Sequence, residues 1–268
     1  MPLLHSIALD CVPRRALSDG QLPRLARDRA LLAQLEQQLG APPPGETRLS
    51  RVLHRPDGSE EREEFTAAEL RASASVLDPL APSCAGCPAA LAGSPFSCVQ
   101  SLSFPLSASA ERWLVGRIGP EDSLSGQFFR ASVQAMGYGR DCELLTQWRR
   151  SGLLESPEPI RVEGESPVDG DQVLHALLLS GNLEPARCLS ALLFTRALGT
   201  STGASTDDLI ALISRLQNGQ LDGQPPEFVF SLALDPGEDP STNELRGFLL
   251  AAFTAFRLGV GLQLLIVA

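Results

Sequence analysis

The sequence predicts a mixed α and β protein, α+β or α/β, in which a small mixed sheet is packed by about eight helices and carries a cysteine-bearing loop. Three observations predict it. Short β-prone runs lie at both ends of the chain, a hairpin signal stands at residues 47–66, and apolar residues recur at helical spacing over most of the rest. At 268 residues the chain is long enough to bury a substantial core.

Leu3 to Val12 reads as a buried strand, and Leu22 to Leu39 as an amphipathic helix with Leu25, Leu32, Leu35 and Leu39 on one side. The proline-glycine run at 40–45 stops that helix. Strands at 47–55 and 60–66 flank Pro56-Asp57-Gly58, a turn signal, and the second strand is acidic (Glu60, Glu61, Glu63, Glu64), as suits an exposed edge. Thr66 and Glu69 form a capping box opening a helix to about Leu77. Five prolines make residues 78–106 read as a long irregular loop.

Helices follow at about 107–117, 124–136 and 140–150. Residues 155–170 are polar and proline-bearing and divide the chain into an N-terminal half, 1–154, and a second part, 171–268. The alternative is one domain, with the N-terminal strand in the same sheet as the C-terminal pair. Helices are expected at about 169–180, 184–198 and 205–217. A strand at Glu227–Leu234, a helix capped by Ser241 and Glu244, and a strand at Gly261–Val267 suggest a βαβ unit with a parallel pair.

The charge balance, 22 basic against 32 acidic residues, excludes a broad basic face for nucleic acid or anionic lipid. All 22 basic residues are arginine, a bias that reads as GC-rich bacterial coding. Without lysine there is no phosphate-loop lysine, Schiff-base lysine or lysine general base. The N-terminus lacks a basic, apolar signal pattern, so a cytoplasmic location is expected. The apolar stretch from Gly247 to Ala268 has the length of a tail anchor. Arg257 near its middle would cost about 2.5–3.5 kcal/mol on insertion, and Gly259 and Gly261 divide it, so a helix and a strand are expected with no membrane span.

The most pointed chemical signal is Cys84, Cys87 and Cys98, spaced C-x2-C-x10-C. The leading expectation is structural zinc on these three thiolates, with a fourth ligand from Cys11, Cys142, Cys188 or a histidine. A redox dithiol at Cys84 and Cys87, an iron–sulfur cluster, and ordinary loop thiols are the alternatives. Taken singly, Cys11, Cys142 and Cys188 read as buried small apolar residues.

His5, His54 and His175 are isolated and show no metalloenzyme spacing. Asp10 and Asp235 end expected strands, where turn roles are the simpler reading. Phe128-Phe129 and Trp148-Arg149-Arg150 could anchor a partner, although core packing suits the phenylalanines better. No nucleophile elbow or phosphate loop stands out. The expected function is therefore a non-enzymatic adaptor, regulatory or assembly protein whose zinc-stapled loop meets a protein partner; the rival is redox or iron–sulfur chemistry on the same cysteines.

Overall fold

The structure is a computed structural model that describes residues 2–18, 20–54, 60–119, 123–135, 142–162, 168–200, 205–218, 228–233, 235 and 237–266. It is a mixed α+β fold in which small sheets are packed by helices. The main sheet has three strands, β1 (Pro2–Ile7), β4 (Val99–Ser103) and β9 (Leu262–Ile266), in the order β4-β1-β9. Both pairings are antiparallel, with His5 opposite Gln100 on one side and Leu264 on the other. β1 is thus the central strand and joins the two ends of the described chain.

The hairpin forms as expected from β2 (Arg48–His54) and β3 (Glu60–Thr66), with Arg48 opposite Thr66 and Arg51 opposite Glu63; its turn, residues 55–59, lies outside the described residues. It is a separate two-stranded sheet and adds no strand to the main one. The Thr66 capping box is present and opens α3 (Ala67–Ser75).

The βαβ expectation fails on pairing. The strand expected at 227–234 is short, β8 (Phe228–Phe230), and pairs antiparallel with β7 (Leu198–Thr200), at the end of a segment expected to be helical. The edge beside β1 is taken instead by β4, which lies inside the stretch expected to be a loop. Hydrogen bonding to a non-local partner overrides local propensity there, because a strand's backbone is completed only by another chain segment. β1 also stops five residues early: Ile7 donates to the Cys98 carbonyl and Ala8 to the Gly261 carbonyl, and a short helix α1 (Val12–Ala16) then begins with Pro13 in its first turn.

α2 (Gln21–Leu39) matches its expected span, but its buried face is Leu22, Pro23, Ala26 and Asp28, and Leu39 is exposed. The remaining helices are α4 (Ala108–Arg117), α5 (Leu124–Ala135), α6 (Glu143–Arg150), α7 (Gly170–Leu174, continued as a π-helical turn over His175–Leu179), α8 (Pro185–Phe194), α9 (Thr206–Gln217) and α10 (Pro240–Arg257). α10 is capped by Asp239, whose carboxylate accepts from the Thr242 N–H, with Pro240 in the first turn; the expected Ser241–Glu244 box does not form, and Glu244 accepts from the Ser103 N–H of β4 instead. Residues 155–170 hold a minimal antiparallel pair, β5 (Arg161–Val162) with β6 (Val168–Asp169).

α10 and α8 fill the large core, with Leu245, Phe248, Leu249, Ala252 and Phe256 packed under the sheet. The C-terminal apolar stretch therefore divides into α10 and β9, and among the described residues no helix is long and apolar enough to cross a membrane. A second, small core of Leu22, Ala26, Leu77, Phe96 and Val99 lies where α2 meets the cysteine segment.

Candidate functional site

Four of the six cysteines belong to segments that the fold draws together. The 3-10 helix Asp78–Cys84 ends at the first. Cys84-Ala85-Gly86-Cys87 is then a type II β-turn: Ala85 has φ −62° and ψ 125°, Gly86 has φ +69°, and the Cys87 N–H donates to the Cys84 carbonyl at 3.1 Å. The positive φ is what demands glycine at 86, since a Cβ there would meet only open space. A turn of this type brings the Cα atoms of its end residues within about 7 Å, so Cys84 and Cys87 belong to one tight loop.

Cys98 immediately precedes β4, and its carbonyl is tied to the Ile7 N–H at 3.1 Å. Cys11 lies four residues beyond Ile7, at the N-terminus of α1, and α1 packs against the 3-10 helix that carries Cys84. Pairing of β1 with β4 therefore places the chain leaving β1 beside the chain entering β4. Cys98 touches both cores, Cys87 the large one and Cys84 the small one.

The electrostatics agree with this arrangement. Burial, then the neighbouring charge of Cys87, pushes the Cys98 thiol up to about 11; Arg14 opposes this, while Cys11 and Cys84 add to it. At neutral pH Cys98 is a protonated, unreactive thiol in the absence of a cation. Arg14 is held over the site by donating to Ser6 Oγ (2.9 Å), the Ile7 carbonyl (2.8 Å) and Gln263 Oε1 (2.6 Å). None of the six cysteines is in a disulfide, and among the described residues no three His, Cys, Asp or Glu side chains form a group that could hold a metal ion as they stand. An ion at this site would have to draw the sulfurs inward.

The other sequence candidates fall elsewhere. Cys188 is buried in the large core, donates to the Leu183 carbonyl at 3.5 Å, and is pushed up to about 12 by burial. Cys142 opens α6 and lines a cavity of about 300 Å³ with Thr146, Arg149, Arg150 and Asp171. His5 is buried in β1 with its ring edge-on to Phe248, 5.4 Å between centroids. His175, on the π-helical turn, lines a cavity of about 660 Å³ with Phe128, Arg187 and Phe194. The side chain of His54 lies outside the described residues. Asp10 is exposed, 3.6 Å from Arg15, and Asp235 accepts from the Gly237 N–H in a turn.

Trp148 and Arg149 are no partner-binding anchor. Trp148 is fully buried against Phe104, and Arg149 is buried in a charge cluster invisible in the sequence. Its Nε donates to Asp171 (2.7 Å), its terminal nitrogens to both Glu111 oxygens (2.5 and 3.3 Å) and to the Ser156 carbonyl (2.8 Å). Burial works against this charge, but the hydrogen bonds that Arg149 donates to Glu111 and Asp171 outweigh it and hold the Arg149 pKa above its ordinary value. With its donors committed, the guanidinium pins the 155–160 segment and is not offered to a ligand. Gly170 is required beside it, because a Cβ there would lie 2.6 Å from Glu111 Oε1.

No protein-family model matches the chain, and neither the curated proteins nor the solved structures contain a match to it.

Proposed function

We propose that this protein is a non-enzymatic adaptor, regulatory or assembly subunit whose loop of Cys84, Cys87 and Cys98 is fixed by a zinc ion and presents a surface to a protein partner. The observation that carries the reading is the type II turn that joins Cys84 and Cys87 in one tight loop, with Cys98 tied through its carbonyl to the end of the central strand. The loop supports it by what it lacks. Between residues 85 and 97 only Ala89 and Phe96 are buried, and the prolines at 82, 88 and 95 are exposed.

Ordering such a segment costs on the order of 1–2 kcal/mol per residue in backbone entropy. Two buried side chains return about 2–5 kcal/mol, well short of that cost. A structural zinc contributes about 10–16 kcal/mol of apparent binding energy, enough to close the gap. The exposed prolines and small residues then form a fixed, uncharged surface on an otherwise acidic molecule.

Metal analysis of the purified protein tests the reading. One zinc per chain is expected, with release by chelator loosening residues 78–98 in hydrogen exchange. Iron with visible absorption, or metal-free protein carrying a reversible Cys84–Cys87 disulfide, would replace zinc by the redox reading. The same turn favours that second reading, since its end residues lie within disulfide reach. Affinity capture with the intact loop, compared with a Cys84→Ser/Cys87→Ser double variant, tests the partner surface: a partner retained equally by both removes the loop from recognition.

A further inference from the structure

We propose that the cavity between α5, the π-helical turn, α8 and the end of α9 binds a small organic acid, with its apolar body against Phe128 and Phe194 and its carboxylate on Arg187. This site is independent of the zinc reading, since Cys84, Cys87 and Cys98 do not line the cavity.

The cavity has a volume of about 660 Å³, within the range of roughly 300–1,000 Å³ that holds drug-sized ligands. Its walls are mainly apolar. Phe128 of α5 and Phe194 of α8 meet with 5.7 Å between centroids, and Leu177, Leu183 and Ala191 line it with them. The serines in the wall add little polarity, because Ser132, Ser180 and Ser190 each donate their hydroxyl to the carbonyl four residues back. Ala131 and Gln217, which also line the cavity, are exposed and leave a way in.

Charge selects the ligand. The chain carries 32 acidic residues against 22 basic, yet among the described residues lining this cavity there is no carboxylate, and Arg187 is the charged member. Its guanidinium is held in place by donating to the Ser180 carbonyl (3.2 Å) and the Ser180 hydroxyl oxygen (2.6 Å). Ser180 ends the π-helical turn five residues beyond His175, so one turn carries both the imidazole that lines the cavity and the residue that fixes the arginine. The π-helical geometry, frequent at functional sites, sets His175, Ala176 and Leu177 consecutively along the cavity.

A planar guanidinium pairs with a carboxylate through two parallel N–H···O bonds. One such cation in an apolar cavity suits a monoanion with a greasy body. A bare inorganic anion would gain nothing from the phenylalanine walls, whereas an apolar body expels water from around the ion pair and strengthens it.

The test is calorimetric titration of the full chain with phenylbutyrate and decanoate, alongside their amides, acetate and inorganic phosphate, with amide NMR to locate binding. Wild type is expected to bind at least one of the two acids saturably, with shifts concentrated at residues 175–180 and 187–194. That acid should bind at least about tenfold more tightly than its amide, and neither acetate nor phosphate should saturate the site. Arg187→Met should lose at least about tenfold in affinity for the acid and none for the amide, and Arg187→Lys, which keeps the charge, should recover part of the loss. Ser190→Phe fills the cavity and should abolish binding of acid and amide alike. The proposal is overturned if neither acid binds wild type, if acid and amide bind equally, if the shifts fall elsewhere, or if phosphate binds as tightly as the acids. Arg187→Met that binds the acid as wild type does also overturns it. Should Arg187→Met fail to fold, Ser190→Phe decides: a folded Ser190→Phe chain with wild-type affinity for the acid removes the site.

Discussion

The large core buries a three-membered charge cluster, whereas α2, which lines the small core beneath the cysteine loop, buries one carboxylate, Asp28, beside the partly exposed Arg51. Arg149, Glu111 and Asp171 have side chains 3%, 1% and 5% exposed and sit under Trp148 and the 155–160 segment. On the elements around Leu22, Ala26, Leu77, Phe96 and Val99 the ion pairs include Arg29–Asp78, with side chains 37% and 63% exposed, and Arg51, which reaches both the half-exposed Glu63 and the buried Asp28. The difference teaches where stability resides. Arg149 and its two carboxylates are almost wholly covered beside the cavity of Cys142, so that their hydrogen bonds act at a lower dielectric than exposed pairs. The five buried residues of the small core cover less. α2 shows the shortfall directly, because its first two turns are buried while Leu39 at its end is 60% exposed.

The contrast can be broken most strongly at Arg149. Replacing it with Met leaves Glu111 and Asp171 buried without their cation, and urea denaturation should show a loss of about 3–5 kcal/mol. An effect below about 1 kcal/mol would mean that water reaches the cluster. The loss should depend only weakly on salt, because buried pairs are screened much less than exposed ones.

Acid should also act through the large core. Burial lowers the pKa of His5 from 6.5 to about 4; Gln100 across the strand pair pulls weakly the other way, and among the described residues neither ring nitrogen has a well-formed hydrogen bond. The unfolded chain therefore takes up this proton first as pH falls. The stability associated with neutral His5 is complete above about pH 6.5 and is lost from there down to about pH 4, by about 3 kcal/mol in all. Stability of His5→Leu, measured between pH 7 and 4, should have a flatter profile than wild type. An identical slope in the two proteins would place the titrating group elsewhere.

A smaller loss is expected at the cap of α10. Asp239→Ala removes the acceptor for the Thr242 N–H and for the Ser107 hydroxyl, and thermal unfolding should report about 1 kcal/mol. These hydrogen bonds, Ser107 foremost, hold the Asp239 pKa below its ordinary value against slight desolvation, so wild type should lose this contribution only in strong acid.

The smallest effect belongs to the small core. Arg29→Ala breaks the exposed pair with Asp78 and the contact of the guanidinium over Phe96, 5.7 Å from its centroid. Its cost should stay under about 1 kcal/mol and shrink in high salt. If the zinc reading holds, that cost should be visible only in chelated protein, where the ion no longer holds the small core in place.

Much of the fold was legible because it is local. The Thr66–Glu69 box, the hairpin arms, the extent of α2 and the break between α10 and β9 each depend on residues a few positions apart. β4 was not legible, because Val99–Ser103 has weak strand character and becomes a strand by bonding to β1, nearly a hundred residues earlier. The Arg149 cluster was hidden for the same reason. Its carboxylates stand 38 and 22 residues away, and a Trp-Arg-Arg run carries no mark of burial. At the candidate site, Cys84, Cys87 and Cys98 announce themselves by spacing, whereas the tie of Cys98 to Ile7 exists only because β1 and β4 pair.

By itself, the amino-acid order settled the Thr66 capping box, the hairpin arms, the extent of α2 and the absence of lysine chemistry, all of which follow from side chains acting on their own neighbourhood. Only the tertiary structure decided which strands share a sheet and which charges are buried. Those depend on contacts between distant segments, whose energies appear only when both partners have left water together.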